Sequence, residues 1–238
     1  MIVYGRNPVR EALRGRRRVL RVWATERTQR SEDWLRGAPS VETVDGAALE
    51  ELAGSPDHQG VCAEAEAYPY VDADGLLGAP DSLVVALDEV QDPHNLGAVC
   101  RVAESVGAAG VVIGQRRSAE VSAAAAKASA GAVEHLAVAR VGNLADWLTR
   151  AKEQEAWVYG AAAGGDAVGY ETPDYRGRVV LVLGSEGRGL RPRVAATCDQ
   201  LVALPQLGRL DSLNVSTAAA ALLYGILQFR RSTLDRGP

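Results

Sequence analysis

The strongest constraint on the fold is a series of short, wholly apolar segments that alternate with segments of helical pattern. Residues 83–87, 110–113 and 179–183 contain no polar side chain. Between the first two, residues 95–106 carry apolar side chains at helical spacing. Uninterrupted apolar strands that alternate with helices are typical of a parallel sheet covered on both faces. The sequence therefore predicts an α/β fold with a mostly parallel sheet.

A smaller α/β unit precedes this region. Asn7 and Pro8 predict the cap and first position of a short helix, and residues 19–24 and 61–65 predict strands. Residues 67–80 are rich in proline, glycine and aspartate, as linkers are. We expect a small domain over residues 1–66, a linker over 67–80 and a larger domain over 81–238.

Positive charge is concentrated near the start of the chain, although the 238 residues carry a net charge of −4. Residues 1–30 hold nine arginines and two glutamates, a local net charge of +7. Such a segment is typical of a phosphate-binding surface, and an arginine-rich genome also produces it on an ordinary solvated face. The candidate RNA-binding residues are Arg6, Arg10, Arg14, Arg16, Arg17 and Arg18.

The composition excludes several classes of protein. With 47% hydrophobic and 24% charged residues, the chain is not disordered as a whole. It contains no apolar run of 18 residues, so no transmembrane helix is predicted. Residues 1–10 lack the apolar segment of a secretory signal. Cys62, Cys100 and Cys198 lie far apart, which argues against a disulfide framework or a zinc–thiolate site. We therefore expect a cytoplasmic protein with no metal and no membrane partner.

Three polar segments each follow a predicted strand, where ligands bind in open α/β sheets. In the first, residues 92–101, Asn95 can cap the following helix, and Arg101 lies roughly 120° around that helix from Asn95. In the third, residues 204–216, Ser212 and Asn214 crowd the start of the last helix. Taken alone, the first segment is also consistent with an ordinary capped helix that carries a surface arginine. The third segment is also consistent with several residues that merely cap the last helix.

The second segment, residues 184–190, is a glycine-rich turn with Glu186 in its middle. Its glycine order is GxxGxG rather than the GxGxxG of dinucleotide-binding turns, and no acidic residue near position 204 is available for a ribose. No GxxxxGK[ST] sequence is present either. These departures argue against an NAD-dependent oxidoreductase and against a P-loop nucleotidase.

Together the three segments resemble the SpoU (TrmH) family of RNA 2′-O-ribose methyltransferases, within the SPOUT superfamily. The matching strings are Asn95-Leu-Gly-Ala-Val-Cys-Arg101, Leu183-Gly-Ser-Glu-Gly-Arg-Gly-Leu190 and, after Leu204-Pro, Ser212-Leu-Asn-Val-Ser216. This resemblance covers about residues 80–238. Residues 4–13 and 58–61 are similar to the small L30e-like substrate-binding domain of the branch that methylates a guanosine in the peptidyl-transferase loop of 23S rRNA.

The resemblance implies a C-terminal trefoil knot that binds S-adenosyl-L-methionine. The implied cofactor-binding residues are Leu183, Gly184, Leu204, Gln206 and Leu213. The implied catalytic residues are Asn95, Arg101, Glu186, Ser212 and Asn214. In the implied mechanism Arg101 orients the ribose hydroxyl and pairs with an RNA phosphate, and Asn95 and Glu186 hold Arg101. The sequence departs from the family at Gln206, where Met is usual, and at Leu210, where Val is usual.

The last predicted helix, residues 216–229, is apolar almost all round, so we expect it to be buried. The resemblance implies that part of it completes a homodimer. The implied partner is RNA, in the first place 23S rRNA, and not DNA. The alternatives are a tRNA guanosine, an rRNA site linked to antibiotic resistance and, without catalysis, a role as an RNA-binding ribosome assembly factor.

Overall fold

Residues 1–209 and 212–235, the part that the computed structural model describes, form eleven strands and eight α-helices. The strands are β1 (Ile2–Tyr4), β2 (Val19–Ala24), β3 (Val41–Thr43), β4 (Val61–Ala65), β5 (Leu83–Asp88), β6 (Gly110–Gly114), β7 (Val138–Val141), β8 (Trp157–Ala161), β9 (Val168–Gly169), β10 (Val179–Gly184) and β11 (Gln200–Ala203). The helices are α1 (Arg6–Arg14), α2 (Glu26–Ser31), α3 (Gly46–Ala53), α4 (Pro93–Ser105), α5 (Ala123–Ala128), α6 (Leu144–Glu153), α7 (Pro192–Thr197) and α8 (Val215–Asp235).

The larger sheet has the order β7-β6-β5-β10-β8-β11-β9, and every pair of neighbours in it is parallel. Its central strands are buried on both faces. Leu83, Val85 and Leu87 pack into the cluster that contains α4 and α8, and Val84 and Ala86 pack into the one that contains Trp147 of α6. This two-sided burial explains the uninterrupted apolar segments and confirms the predicted parallel α/β fold.

The smaller sheet has the order β1-β4-β2-β3. The strands β1 and β2 both run antiparallel to β4, and β3 runs parallel to β2. The predicted cap of α1 is wrong, because the helix begins at Arg6 and its cap is Gly5 at φ +95°. A lysine fills the space beside that glycine: a Cβ atom on Gly5 would lie 2.4 Å from Nζ of Lys127.

The two sheets are joined by the predicted linker and by an apolar cluster that contains residues of both units, among them Val9 and Val133. Tyr68, in that linker, donates a hydrogen bond from its hydroxyl to the carbonyl oxygens of Val133 (3.0 Å) and Leu136 (2.8 Å). Farther along, Leu76 and Leu77 are buried in a short 3-10 helix (Asp74–Leu77). The linker is therefore packed against the larger unit over much of its length.

The last helix is not buried all round. Val215, Ala219 and Leu223 face the core, whereas Tyr224 is 52% exposed on the opposite side. Within this single chain the expected burial is found on one face only, because a helix at the edge of a layer has its other face toward solvent. None of the helices in the described residues combines the length and apolar character needed to cross a bilayer.

Candidate active site

A tight glycine-rich turn follows β10. Ser185 and Gly189 pair across it, and Gly187 and Gly189 have φ values of +76° and +65°, which favour glycine. The turn closes against the end of β10, since a Cβ atom on Gly184 would lie 2.2 Å from the carbonyl carbon of Gly189. The glycines therefore let the turn fold back on its own strand and hold Glu186 at its tip.

A cavity of about 590 Å³ opens beside this turn. Its walls come from the ends of β8, β10 and β11 and from the start of α8, so it lies at the carboxyl edge of the sheet. All five predicted cofactor-binding residues line it: Leu183, Gly184, Leu204, Gln206 and Leu213. Glu186 and Ser212 line it as well. Leu210, the second departure from the family pattern, lies outside the described residues.

Three of the predicted catalytic residues, Asn95, Glu186 and Asn214, form a hydrogen-bonded cluster beside this cavity. The Nδ2 atom of Asn95 donates to Oε1 of Glu186 at 3.2 Å. The Nδ2 atom of Asn214 donates to the same Glu186 oxygen and to Oδ1 of Asn95, the latter at 3.0 Å. Three segments separated by up to 119 residues in sequence therefore meet at one carboxylate.

Asn95 is free to join this cluster because it does not cap its own helix. The cap of α4 is Asp92, whose carboxylate accepts a hydrogen bond from the backbone N–H of His94 at 2.9 Å. Asn95 lies inside the helix and is 8% exposed. The capping interpretation of Asn95 is therefore wrong. Asn214 has both roles, since its Oδ1 accepts from the backbone N–H of Ser216 at 2.8 Å.

The expected contact of Arg101 with Asn95 and Glu186 is not present in the single chain. Arg101 is exposed on α4, two turns after Asn95 on another face of the helix. Among the described residues, its guanidinium has no hydrogen bond or ion pair and it lines neither the cavity above nor the one below. Within the single chain Asn95 and Glu186 do not hold Arg101, because their polar atoms bind each other and Asn214.

A second cavity of about 270 Å³ adjoins the first. Ser185, Glu186, Arg188 and Val215 line both cavities, so Glu186 stands at their boundary. The other residues around the second cavity come from the loop after β5 and the start of α4, and include Asn95. A small molecule in the first cavity and a nucleotide in the second would both contact the Glu186 turn.

The six candidate RNA-binding arginines differ in what they contact. Arg17 is buried, with 2% of its side chain exposed, and its Nε donates to Oε2 of Glu134 at 2.9 Å. The assignment of Arg17 to RNA is therefore wrong for this conformation, since its guanidinium fixes the small sheet to the larger unit. Arg10 is half-buried and pairs with Glu11.

The other four of these arginines are exposed. Arg6 pairs with Glu32 at 3.0 Å, and Arg16 donates to the carbonyl oxygen of His135 at 2.7 Å. Arg14 makes only a 3.5 Å contact with Glu11, and the Arg18 side chain is bound to no residue of the described chain. Arg14, Arg16 and Arg18 are therefore the cations of this segment best placed to reach a ligand in solvent.

A charged network at the same edge of the sheet was not anticipated. Arg191, just before α7, donates from its backbone N–H and from Nε to the buried carboxylate of Asp88, at 2.8 and 2.7 Å. Glu89 lies 3.6 Å from Arg191 and 3.6 Å from Arg117. In the sequence, the only sign of this network is the adjacent pair Asp88 and Glu89 at the end of a buried strand. Two adjacent acids do not identify the arginines that bind them.

Within residues 1–209 and 212–235 there is no cluster of three His, Cys, Asp or Glu side chains able to hold a metal ion. The site described above therefore consists of amides, a carboxylate, hydroxyls, glycine backbone and apolar side chains.

Two family models match the chain. Residues 82–224 match the SpoU rRNA methylase family, and residues 2–71 match the model described as RNA 2′-O ribose methyltransferase substrate binding. YacO, a TrmH family protein of Bacillus subtilis, is 37% identical over 239 residues, covering 96% of this chain and 95% of YacO. The relative slr0955 of Synechocystis is 37% identical over 247 residues, and the chain spans 64% of its length.

Solved structures of the same family share the fold. The SpoU methyltransferase AviRb of Streptomyces viridochromogenes, in complex with AdoMet, superposes with a TM-score of 0.81 at 26% identity, covering 98% of this chain and 91% of AviRb. The AdoMet-bound rRNA methyltransferase of Sinorhizobium meliloti superposes with a TM-score of 0.80 at 26% identity, covering 95% of this chain and 86% of that methyltransferase. The SpoU family model matches most of the larger unit, and YacO is similar to this chain over nearly the full length of both. This chain therefore belongs to the SpoU methylase family.

Proposed function

We propose that this protein transfers a methyl group from S-adenosylmethionine to a ribose 2′-hydroxyl of RNA. The observation that carries the proposal is the Glu186 carboxylate, which two amides bind at the boundary of two adjoining cavities. One cavity has room for the cofactor, and the other is lined by Asn95 and Glu186, two of the residues proposed to be catalytic. Membership of the SpoU methylase family supports the reaction class.

The larger cavity fits the cofactor in size and chemistry. Its volume of about 590 Å³ lies within the range of small-molecule sites, and its walls combine leucine side chains with glycine backbone. Leu183, Gly184, Leu204, Gln206 and Leu213 would hold the cofactor through backbone groups and apolar contacts. Solved relatives of the same fold contain AdoMet. When bound, the cofactor supplies a methyl group that its sulfonium charge already activates for transfer.

The side chains around Glu186 are proposed to position the ribose. Asn95 and Asn214 fix the carboxylate, because both donate to its Oε1 atom. The fixed carboxylate accepts a hydrogen bond from the 2′-hydroxyl, and Ser212 shapes the wall between cofactor and ribose. Holding two reacting groups in one geometry supplies much of the acceleration of such a transfer. Arg101 orients the hydroxyl and pairs with the adjacent phosphate.

A homodimer is proposed to bring Arg101 to the reaction. In one chain Arg101 is exposed and lies outside both cavities. The adjacent helix α8, which packs against α4, presents an outer face with Tyr224 52% exposed. A second copy packed on this face would cover Tyr224 and place its own α4 near the site. In this proposal the Arg101 that serves each site comes from the other protomer.

The proposed substrate is a guanosine of 23S rRNA, methylated in the cytoplasm. Residues 2–71, which match a substrate-binding model of RNA 2′-O ribose methyltransferases, support an RNA-recognition role for the N-terminal unit. We propose that this unit, residues 1–66, is L30e-like, that residues 67–80 connect it to the catalytic domain 81–238, and that a trefoil knot forms the cofactor cavity. The convergence of the loops after β10 and β11 with α8 on that cavity supports the knot.

The deciding experiment is a deletion strain in which rRNA and tRNA are mapped for 2′-O-methyl groups. Loss of one methyl group in 23S rRNA, restored by the wild-type gene but not by a Glu186→Ala variant, is the expected result. Loss of a tRNA methyl group instead supports the tRNA alternative. An unchanged methylation map combined with defective ribosome assembly contradicts the enzymatic proposal and supports an assembly factor.

A further inference from the structure

Three carboxylates and one guanidinium line the second cavity. They belong to Glu89, Asp92 and Glu186, and to Arg188, which is the only cation that lines either of the two cavities in the described chain. The carboxylates repel phosphate from the interior of the cavity. An RNA strand that places a ribose in this cavity must therefore run its phosphates along the rim.

Arg188 is available for such a contact. It is exposed at the tip of the glycine-rich turn and makes no ion pair or side-chain hydrogen bond with any described residue. Ser185 and Gly189 pair on either side of it, so the backbone that carries Arg188 is fixed although its guanidinium is free. Arg191, three residues later, is by contrast bound to the carboxylate of Asp88.

Arg117 does not line this cavity but lies beside Glu89, which does. In the strand order β6-β5-β10, Arg117 follows β6 and Arg188 follows β10, so they flank the loop after β5 that lines the cavity. The Arg117 side chain is 75% exposed, and its Nη1 lies 3.6 Å from the carboxylate of Glu89, which is only 12% exposed. The same Glu89 oxygen lies 3.6 Å from Arg191, so Glu89 is shared and leaves most of the Arg117 side chain accessible to solvent.

The backbone at this pair is held in a conformation that most residues avoid. Glu89 has φ +56° and Arg117 has φ +54°. Left-handed conformations of residues other than glycine are strained and persist where the surrounding structure imposes them, often at ligand-binding sites. Here both partners of one ion pair adopt it.

We propose that Arg117 and Arg188 form a phosphate clamp that binds the RNA backbone on the two sides of the target nucleotide. The inference rests on the proposed function and adds two binding residues to it. Guanidinium groups bind phosphate through paired, charge-assisted hydrogen bonds, and a nucleotide taken out of a stack exposes the phosphates that flank it. The clamp holds these phosphates at the rim while the ribose enters between them.

The test measures RNA affinity directly. Arg117→Ala, Arg188→Ala and the double variant are titrated with a fluorescent transcript of the 23S rRNA peptidyl-transferase loop over a series of KCl concentrations. Each single variant is expected to weaken binding about tenfold at low salt. Each should also reduce the slope of log affinity against log salt by about 0.7, and the double variant by about twice that. S-adenosylmethionine affinity and thermal stability should stay unchanged.

Arg176→Ala is the matched control. Arg176 is an exposed arginine in the turn before β10, at the amino edge of the sheet, and its removal changes the net charge equally. Wild-type salt slopes in the Arg117 and Arg188 variants, or equal effects of Arg176→Ala, would overturn the clamp. Weaker S-adenosylmethionine binding by Arg188→Ala would also overturn it and assign Arg188 to the cofactor. A wild-type protein that binds RNA but transfers no methyl group contradicts the proposed function alone.

Discussion

Asn214 is hydrogen-bonded to Asn95 across 119 residues of sequence, with Nδ2 of Asn214 3.0 Å from Oδ1 of Asn95. The same Asn214 caps the last helix through its Oδ1 atom. One side chain therefore fixes the start of α8 and the polar centre of the candidate active site together. A comparison of Asn214 with a residue that only caps a helix distinguishes these two roles.

Asn214→Ala is expected to lower both stability and activity. Loss of a helix cap costs about 1 kcal/mol of unfolding free energy, measured by denaturant unfolding. Methyl transfer should fall by at least about a hundredfold, because Glu186 loses one of its two amide donors. Asn143→Ala is the matched control, since Asn143 caps α6 in the same way and lies outside both cavities. Equal activity loss in the two variants would reduce Asn214 to a structural cap.

Arg101→Ala is expected to abolish methyl transfer and to leave folding and cofactor affinity unchanged. The side chain is exposed and bound to no described residue, so its removal costs little stability. Mixing Arg101→Ala with Glu186→Ala protein should restore part of the activity if the two residues of one site come from different protomers. Near-normal turnover by Arg101→Ala alone would sink its assignment, and failure of the mixture to regain activity would place both residues in one chain.

The buried ion pair of Arg17 and Glu134 is expected to hold the two units together. Their side chains are 2% and 1% exposed, so removing one partner leaves an unpaired buried charge. Arg17→Met should lower the free energy of unfolding by about 3–5 kcal/mol, and the double variant Arg17→Met, Glu134→Leu should recover much of it. Arg30→Ala removes an exposed pair with Glu26 and should cost less than about 1 kcal/mol. Chemical denaturation measures the free energy of unfolding of all three variants. A double variant as unstable as Arg17→Met would contradict this explanation.

The exposed arginines of the N-terminal segment are expected to contribute to RNA affinity. Replacing Arg14, Arg16 and Arg18 together by alanine should weaken RNA binding and lower its salt dependence, because fewer phosphates are neutralised. Cofactor affinity, measured by calorimetry, should not change. Arg17 is left intact because its replacement would disturb the fold. An unaltered salt slope would mean that these arginines form an ordinary solvated face.

Glu11 should make stability depend on pH in the acid range. Burial raises the pKa of its carboxyl, but the hydrogen bonds from His135 and Arg10 and the charges of Arg10 and Arg14 outweigh it and lower the pKa below 4.5. A carboxyl with a lowered pKa in the folded state contributes stability above its unfolded pKa and loses it as pH falls through the folded pKa. Glu11→Gln should therefore destabilise the protein at neutral pH and make its stability fall less steeply below pH 4.5. Glu50→Gln, at an exposed position of α3, is the control, and an equal slope in both variants would contradict the prediction.

Much of the architecture followed from local pattern. The apolar segments predicted β5, β6 and β10 because strands buried on both faces cannot accommodate polar side chains. The three polar segments were placed correctly at the carboxyl edge because parallel strands bring their ends together. The five predicted cofactor residues line one cavity for the same reason.

The errors concern partners that are distant in sequence. Asn95 looked like a cap because an asparagine near a helix start usually is one, and its bond to Glu186 depends on a turn 91 residues away. Arg17 looked like its exposed neighbours Arg16 and Arg18, and only Glu134, 117 residues later, buries it. The exposure of Tyr224 within one chain was not predictable either, because the apolar pattern of α8 does not show where the layer ends.

The sequence by itself therefore determined the fold class, the family and the residues that gather at the site, because these depend on local apolar pattern and on short strings. Only the tertiary structure decided which of those residues bind one another, which arginine is buried and which two flank the second cavity. Such choices depend on packing between segments far apart in the chain, where a shift of a few ångströms decides whether a charge is paired or free.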